Sequence, residues 1–256
     1  MKHIVVNGLR LEYRDHPALV PGRPPLLLLH DGLGCVAMWR YFSARLAAMT
    51  GCRVIAWSRA GYGGSQAYTD PRTPRYLHRE AEEVLPALLA ALRIEAPVLI
   101  GHSDGGSIAL IFAGAFPAVP RALAVIAPHE FVEPEALAGI RAAGIAWHTT
   151  DLPQKLARYH QASAERVFKD WHDCWLSPAF RDWNIEESLG NIRCPVLAIQ
   201  GEDDEYATMR QIDVIAARVP GTQLLKLARC GHFPQRDQEA ALLDGLAVFI
   251  DRLGRP

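Results

Sequence analysis

Short, continuously apolar runs recur along this chain with helical stretches between them, and that alternation limits its fold more than any other feature. Leu26-Leu27-Leu28-Leu29 is apolar at every position, and residues 53–57, 97–100, 122–127 and 195–200 are nearly so. A strand with one face in water alternates apolar and polar residues. An unbroken run reads instead as a strand covered on both faces, as in a parallel sheet. Each run gives way to polar or glycine-rich residues, and helical spacing then covers 37–49, 78–92, 105–116 and 209–219. Strand alternating with helix predicts an α/β fold with a doubly wound sheet. A further strand at 222–227 and a helix at 238–253 close the chain. At the start, residues 5–13 alternate on either side of Asn7-Gly8, a strong hairpin signal. The sum is a mostly parallel eight-stranded sheet with helices on both faces.

Residues 131–190 break the pattern. They contain no strand run and hold Trp147, Trp171, Trp175 and Trp183 of the chain's 6 tryptophans. The expected organisation is therefore an α/β core of residues 1–130 and 191–256, with a helical cap, 131–190, inserted after the sixth strand. Phe168, Trp171 and Trp175 share one helical face, read either as packing between cap and core or as the lining of a pocket. Trp147 and Trp171 are candidate substrate contacts on the second reading.

Composition excludes several roles. Over 256 residues, 27 Lys and Arg nearly balance 28 Asp and Glu. No surplus of positive charge is present to gather nucleic acid or an anionic membrane surface. The longest apolar-leaning tract, 98–116, is interrupted by Gly101, His102, Ser103, Asp104 and two further glycines, so no membrane span is expected. No targeting segment is read at the N-terminus. The 5 cysteines are scattered and odd in number, which points to a reducing compartment and a cytoplasmic location. Oligomeric state is left open between monomer and homo-oligomer.

The chemistry concentrates at Gly101-His102-Ser103-Asp104-Gly105-Gly106, which follows the 97–100 run and opens a helix. This is G-x-S-x-G in the strand, turn and helix setting that puts a serine hydroxyl on a sharp, strained turn. A serine needs a base, and the base needs an orienting carboxylate. Gly201-Glu202-Asp203-Asp204 follows one strand and Cys230-Gly231-His232 follows the last, both at the strand ends where open α/β sheets place their ligand crevice. Ser103 is read as nucleophile, Asp204 as acid and His232 as base. Asp203 is the main rival for the acid, and Glu202 and Glu205 are read as solvated loop charges. Glu130 lies just past the 122–127 strand, at a second place an acid could come from. His129 beside it is read equally as a substrate contact or a structural hydrogen-bonding group, and His102 as packed beneath the turn.

These residues resemble the α/β-hydrolase family in its capped, small-molecule branch, and the resemblance extends over essentially the whole chain. His30-Asp31-Gly32-Leu33-Gly34 is similar to that family's oxyanion loop, with Asp31 where glycine is common. The resemblance implies backbone donors from Asp104 and from Gly32, with Leu33 as second choice. The Asp104 carboxylate is read as a helix-start acid, or alternatively as a charge at the pocket floor. Ser58 to Ser65, with Gly61-Tyr62-Gly63-Gly64, resembles the family's glycine-rich turn and does not match a dinucleotide-binding loop. No metal-ligand spacing is present and no cofactor is implied.

The resemblance implies a serine hydrolase acting on a small-molecule carboxylic ester or lactone, as esterases and enol-lactonases do, through an acyl-enzyme on Ser103. Serine in place of aspartate disfavours the dehalogenase and epoxide-hydrolase branches. The alternatives are carbon–carbon bond hydrolysis of a ring-cleavage dienoate and a catalytically idle member that binds a ligand. Glu133 and Glu135 also leave a peptidase open, as carboxylates for a substrate amine.

Overall fold

The computed structural model describes residues 1–68 and 71–254. Eight strands form one sheet: β1 (Lys2–Val6), β2 (Leu9–His16), β3 (Leu26–Leu29), β4 (Val54–Trp57), β5 (Val98–His102), β6 (Ala122–Ile126), β7 (Val196–Gly201) and β8 (Gln223–Leu227). Their order across the sheet is β1-β2-β4-β3-β5-β6-β7-β8. Asn7 and Gly8 both take positive φ, 48° and 78°, and turn β1 into its antiparallel partner β2. β2 runs antiparallel to β4, and from β4 to β8 every pairing is parallel.

The unbroken apolar runs are explained by where alternate side chains go. Leu26 and Leu28, with Val54, Ala56, Val98 and Ile100, pack on one face against α1 (Phe42–Thr50) and a C-terminal helix, through Phe42, Leu46, Leu246 and Phe249. Leu27 and Leu29, with Ile55, Leu99, Leu123 and Val125, pack on the other face. That face is covered by α2 (Tyr76–Arg79), α3 (Leu85–Leu92) and α4 (Asp104–Ala115), with Leu77, Leu88 and Ile108 among the contacts. A π-helical turn, Glu80–Val84, joins α2 to α3.

Between β6 and β7 the described chain is helical: α5 (Pro134–Thr149), α6 (Leu152–His160), α7 (Ala164–Leu176) and the short α8 (Glu186–Leu189). One isolated bridge, Phe131 to Asn184, ties the ends of this insertion together. The chain then returns to the core through α9 (Arg210–Arg218), α10 (Pro234–Asp237) and α11 (Glu239–Arg252), the helix that packs beside α1. Among the described residues no helix is long and apolar enough to cross a membrane.

One element differs from the sequence reading. The helix expected over 37–49 is two pieces, a 3-10 turn at Val36–Trp39 and then α1. Arg40, with φ at 47°, separates them. A non-glycine residue in that region ends the turn, and no glycine or proline marks the break.

The parallel direction of β3 to β8 brings their C-terminal ends to one edge, where the loops after β3, β5, β6, β7 and β8 converge. Close packing of α4 on the sheet fixes that edge. A Cβ on Gly105 would strike the carbonyl oxygen of Leu29 and lie 2.6 Å from its carbon, and one on Gly101 would lie 2.6 Å from the Gly106 nitrogen. Overpacking of this kind costs about 1–3 kcal/mol. Gly105→Ala is therefore expected to lower Tm by roughly 3–10 °C in a calorimetric scan. Gly190→Ala, whose Cβ would meet only the Glu187 carbonyl oxygen at 3.7 Å, is expected to leave it nearly unchanged.

Candidate active site

β5 runs directly into Ser103, whose φ of 52° and ψ of −119° put it outside every ordinary region for a residue with a Cβ. Such a conformation costs of the order of 1–3 kcal/mol and persists because its surroundings hold it. The Ser103 amide donates to the Ile126 carbonyl at 2.8 Å, while its own carbonyl accepts from Gly106 and Ser107 at 2.8 and 3.1 Å. The hydroxyl is left at the cavity wall, at the N-terminus of α4.

β7 and β8 bring Asp204 and His232 to the same edge. His232 Nδ1 lies 2.9 Å from each oxygen of Asp204, so it donates to the carboxylate and leaves Nε2 free. Gln200 donates to Asp204 Oδ2 at 2.7 Å and the Tyr206 amide to Oδ1 at 2.8 Å. The backbone of His232 is held as well: its amide donates to Glu205 at 3.0 Å and its carbonyl accepts from His102 Nε2 at 2.7 Å. Burial opposes a charge on His232, but the hydrogen bond and the charge of Asp204 outweigh it and lift the imidazole above its usual 6.5. Burial likewise opposes ionisation of Asp204, and His232 more than offsets it, so that carboxyl lies below its usual range. Ser103 and His232 line one cavity, with no hydrogen bond between them among the described residues. Such contacts are often loose in an empty site.

The rival acids are placed elsewhere. Asp203 is exposed, its amide donating to Cys230, and Glu202 is exposed too. Glu130 is fully buried, neither carboxyl oxygen has a partner, and burial pushes its carboxyl well above the usual range. It does not line the cavity with His232. Glu205, expected as a solvated charge, is exposed and also holds the His232 amide. His102 is buried beneath the turn, where it also supports His232.

The loop after β3 is fixed at each carbonyl. Asp31 O accepts from Arg59 Nη2 at 2.7 Å and from His30 Nδ1 at 2.8 Å. Gly32 O accepts from the Tyr62 hydroxyl at 3.0 Å, and Leu33 O from His160 Nε2 at 2.9 Å. The Leu33 amide is already used, donating to Asp31 Oδ1 at 2.9 Å. Among the described residues the amides of Gly32 and Asp104 donate to no protein acceptor, so of the two loop candidates Gly32 is the one whose amide is unused. The Asp104 carboxylate is not at the cavity floor. It pairs with Arg59 at 3.2 Å and accepts from Tyr76 at 2.9 Å, and Trp175 Nε1 in turn donates to Tyr76 at 2.9 Å.

The cavity has a volume of about 230 Å³. Asp31, Gly32, Ser103, His129, Trp171, Trp175, Tyr206 and His232 line it with Leu33, Met38, Ile140, Leu152, Leu156 and other apolar groups. Of the shared face on α7, Trp171 and Trp175 reach the cavity and Phe168 does not. Trp147 is a correction. It stacks on Phe168 at 4.2 Å and borders a separate groove, so it supports α7 without reaching the cavity. Glu133 is also spent, holding Thr208 and Gln211. His129 is at the wall, ring against Trp175 at 5.1 Å, and burial pushes its pKa down to about 3. The sequence reading missed His160, which also accepts from the Gly63 amide at 3.0 Å and so joins the glycine-rich turn to the loop. A single histidine on an amphipathic helix gives no signal for such a role. Among the described residues no group of three or more His, Cys, Asp or Glu is placed to hold a metal ion.

Known proteins share this arrangement of chain. The solved enol-lactonase of Burkholderia xenovorans LB400 superposes with a TM-score of 0.78 at 20% identity, over 98% of this chain and 100% of that one. The serine hydrolase BPHL of Mus musculus is 28% identical over 86% of this chain and 76% of its own length. The 2-hydroxymuconate semialdehyde hydrolase of Pseudomonas sp. CF600 is 26% identical over 97% and 93%. A sequence model of the alpha/beta hydrolase family matches residues 26–244. With the eight-stranded sheet, the serine at the strand-to-helix turn and this match over most of its length, the chain belongs to the alpha/beta hydrolase family.

Proposed function

We propose that the chain is a serine hydrolase that cleaves a small carboxylic ester or lactone through an acyl-enzyme on Ser103. The observation that carries this reading is the pairing of His232 Nδ1 with both oxygens of Asp204, at 2.9 Å each, with His232, Ser103 and Gly32 lining one cavity. His232 Nε2 takes the Ser103 proton as Oγ attacks the carbonyl carbon. The amides of Gly32 and Asp104 hold the oxyanion, and the proton passes to the departing alkoxide, which leaves as an alcohol. Water, deprotonated by the same nitrogen, then attacks the acyl group. The acid departs and Ser103 recovers its proton. Asp204 stays ionised and keeps the imidazole in the tautomer that receives. Residues 131–190 act as a cap, with Trp171 and Trp175 as its contribution to the substrate wall. The reaction so written uses no cofactor.

Two other readings are weighed. Similarity to a 2-hydroxymuconate semialdehyde hydrolase supports carbon–carbon bond hydrolysis as the second choice. A ligand-binding member without catalysis fits less well, since Asp204, Gln200, Glu205 and His102 all orient an imidazole that a receptor would not need.

Ser103→Ala is expected to cut kcat on a p-nitrophenyl ester by about 10⁴-fold or more while the far-ultraviolet spectrum is unchanged; undiminished turnover would overturn the proposal. His232 must be neutral to accept a proton and its pKa is raised, so kcat/KM is expected to climb with pH through an apparent pKa above 6.5. Since Asp204 causes the rise, Asp204→Asn is expected to move that limb to lower pH and to lower kcat about 10³- to 10⁴-fold. A limb below 6.5 in the unaltered protein would contradict the assigned pair.

A further inference from the structure

We infer that the part of the substrate entering the cavity is uncharged, an ester or lactone with a compact apolar acyl group, and that Asp31 is the residue that turns anionic acyl groups away. This rests on the hydrolase reading of Ser103 and narrows it to a substrate class.

The wall is apolar, and among its described residues there is no Lys, Arg or Glu. Its one carboxylate is Asp31, which stands where the resemblance leads one to expect glycine. Burial would favour the neutral acid there, but His102, with Nδ1 at 3.6 Å, and the amide of Leu33 hold it ionised, well below the usual carboxylate range. A second carboxylate brought alongside would meet a like charge in a poorly solvated space, where His102 already faces Asp31 and His232 is already held by Asp204.

The nearby cations are sealed off or outside. Arg59 lies behind the loop, bound to Asp104 and to Asp31 O. Arg40, Arg45, Lys155 and Arg236 border an outer groove, Arg40 exposed and the other three paired with Glu239, Asp151 and Asp237.

The polar atoms that remain available are neutral ones. Trp171 Nε1 and the Tyr206 hydroxyl line the cavity with no hydrogen-bond partner in the protein among the described residues, and His129 Nδ1 is buried without one. Burial holds the Tyr206 hydroxyl protonated, its pKa pushed up to about 12, and holds His129 uncharged. These groups suit the oxygens of an ester or lactone. A volume of about 230 Å³ is below the usual range for ligand sites, which asks for a small acyl group. The carbon–carbon reading, whose dienoate carries a carboxylate, is disfavoured by the same wall.

The test compares p-nitrophenyl butyrate with mono-p-nitrophenyl succinate, which exchange a terminal methyl for a carboxylate on an acyl chain of similar length. The expected kcat/KM at pH 7.5 favours the butyrate by about 50-fold or more. In Asp31→Asn, whose side-chain oxygen can still accept from the Leu33 amide, the preference is expected to shrink at least about five-fold. Equal turnover of the two esters overturns the inference. An unchanged preference in Asp31→Asn overturns the role of Asp31. If neither ester is cleaved, labelling with a neutral alkyl fluorophosphonate separates the two failures. A labelled Ser103 leaves the hydrolase chemistry standing and overturns the substrate class, whereas no labelling overturns the hydrolase reading itself.

Discussion

The contact on which the site depends is the approach of α4 to the sheet at Gly101 and Gly105. No side chain fits between the Leu29 carbonyl and the start of that helix. The close approach leaves Ser103 no room to relax from its unusual backbone angles, and it brings the loop after β3 against the helix N-terminus. The amides of Gly32, in that loop, and of Asp104, at that N-terminus, both donate to no protein acceptor among the described residues. Moving the helix outward by the width of a methyl group would disturb Ser103, the helix start and the loop together.

A second layer of order is electrostatic. Arg59 is buried, yet its guanidinium meets Asp104 and the Asp31 carbonyl, and its backbone amide donates to His30 Nε2 at 3.1 Å. The Arg72 guanidinium lies over the Tyr62 and Tyr76 rings at 5.2 and 4.5 Å and donates to the Tyr62 hydroxyl. Tyr76 then links Asp104 to Trp175 of α7. Through these few groups the loop, the helix N-terminus and the inserted helices share one polar network. Removing a single member would leave a buried charge exposed to an apolar surrounding, the costly side of such a pair. That network explains how an insertion of four helices is held in register with a sheet edge it touches only in places.

Much of this was legible in the residues because the determining features are local. Unbroken apolar runs mark buried parallel strands, Asn7-Gly8 marks the hairpin, and glycines on either side of Ser103 mark a turn that a Cβ would block. Asp204 and His232 were legible through their place after strands, and the structure brings both to one hydrogen-bonded pair. What the sequence did not show lies in contacts between distant segments. Nothing near Trp147 indicates that its ring lies on Phe168 instead of in the cavity. His160 supports a loop more than 120 residues away, at Leu33. Glu205 reads as one more acid in an acidic loop until its carboxylate is seen on the His232 amide. The difference between Gly32, with an unused amide, and Leu33 likewise depends on a side chain, since the Leu33 amide donates to Asp31.

The proposed chemistry stands on a covalent bond between substrate and Ser103, and trapping that bond tests it most directly. The protein would be mixed with a p-nitrophenyl ester, quenched in acid within the first turnover, digested, and the peptides weighed. The account predicts the mass of one acyl group on the peptide containing Ser103, and its absence in the Ser103→Ala protein. Turnover of the ester with no acyl group on that peptide, or with the group on another residue, would contradict it.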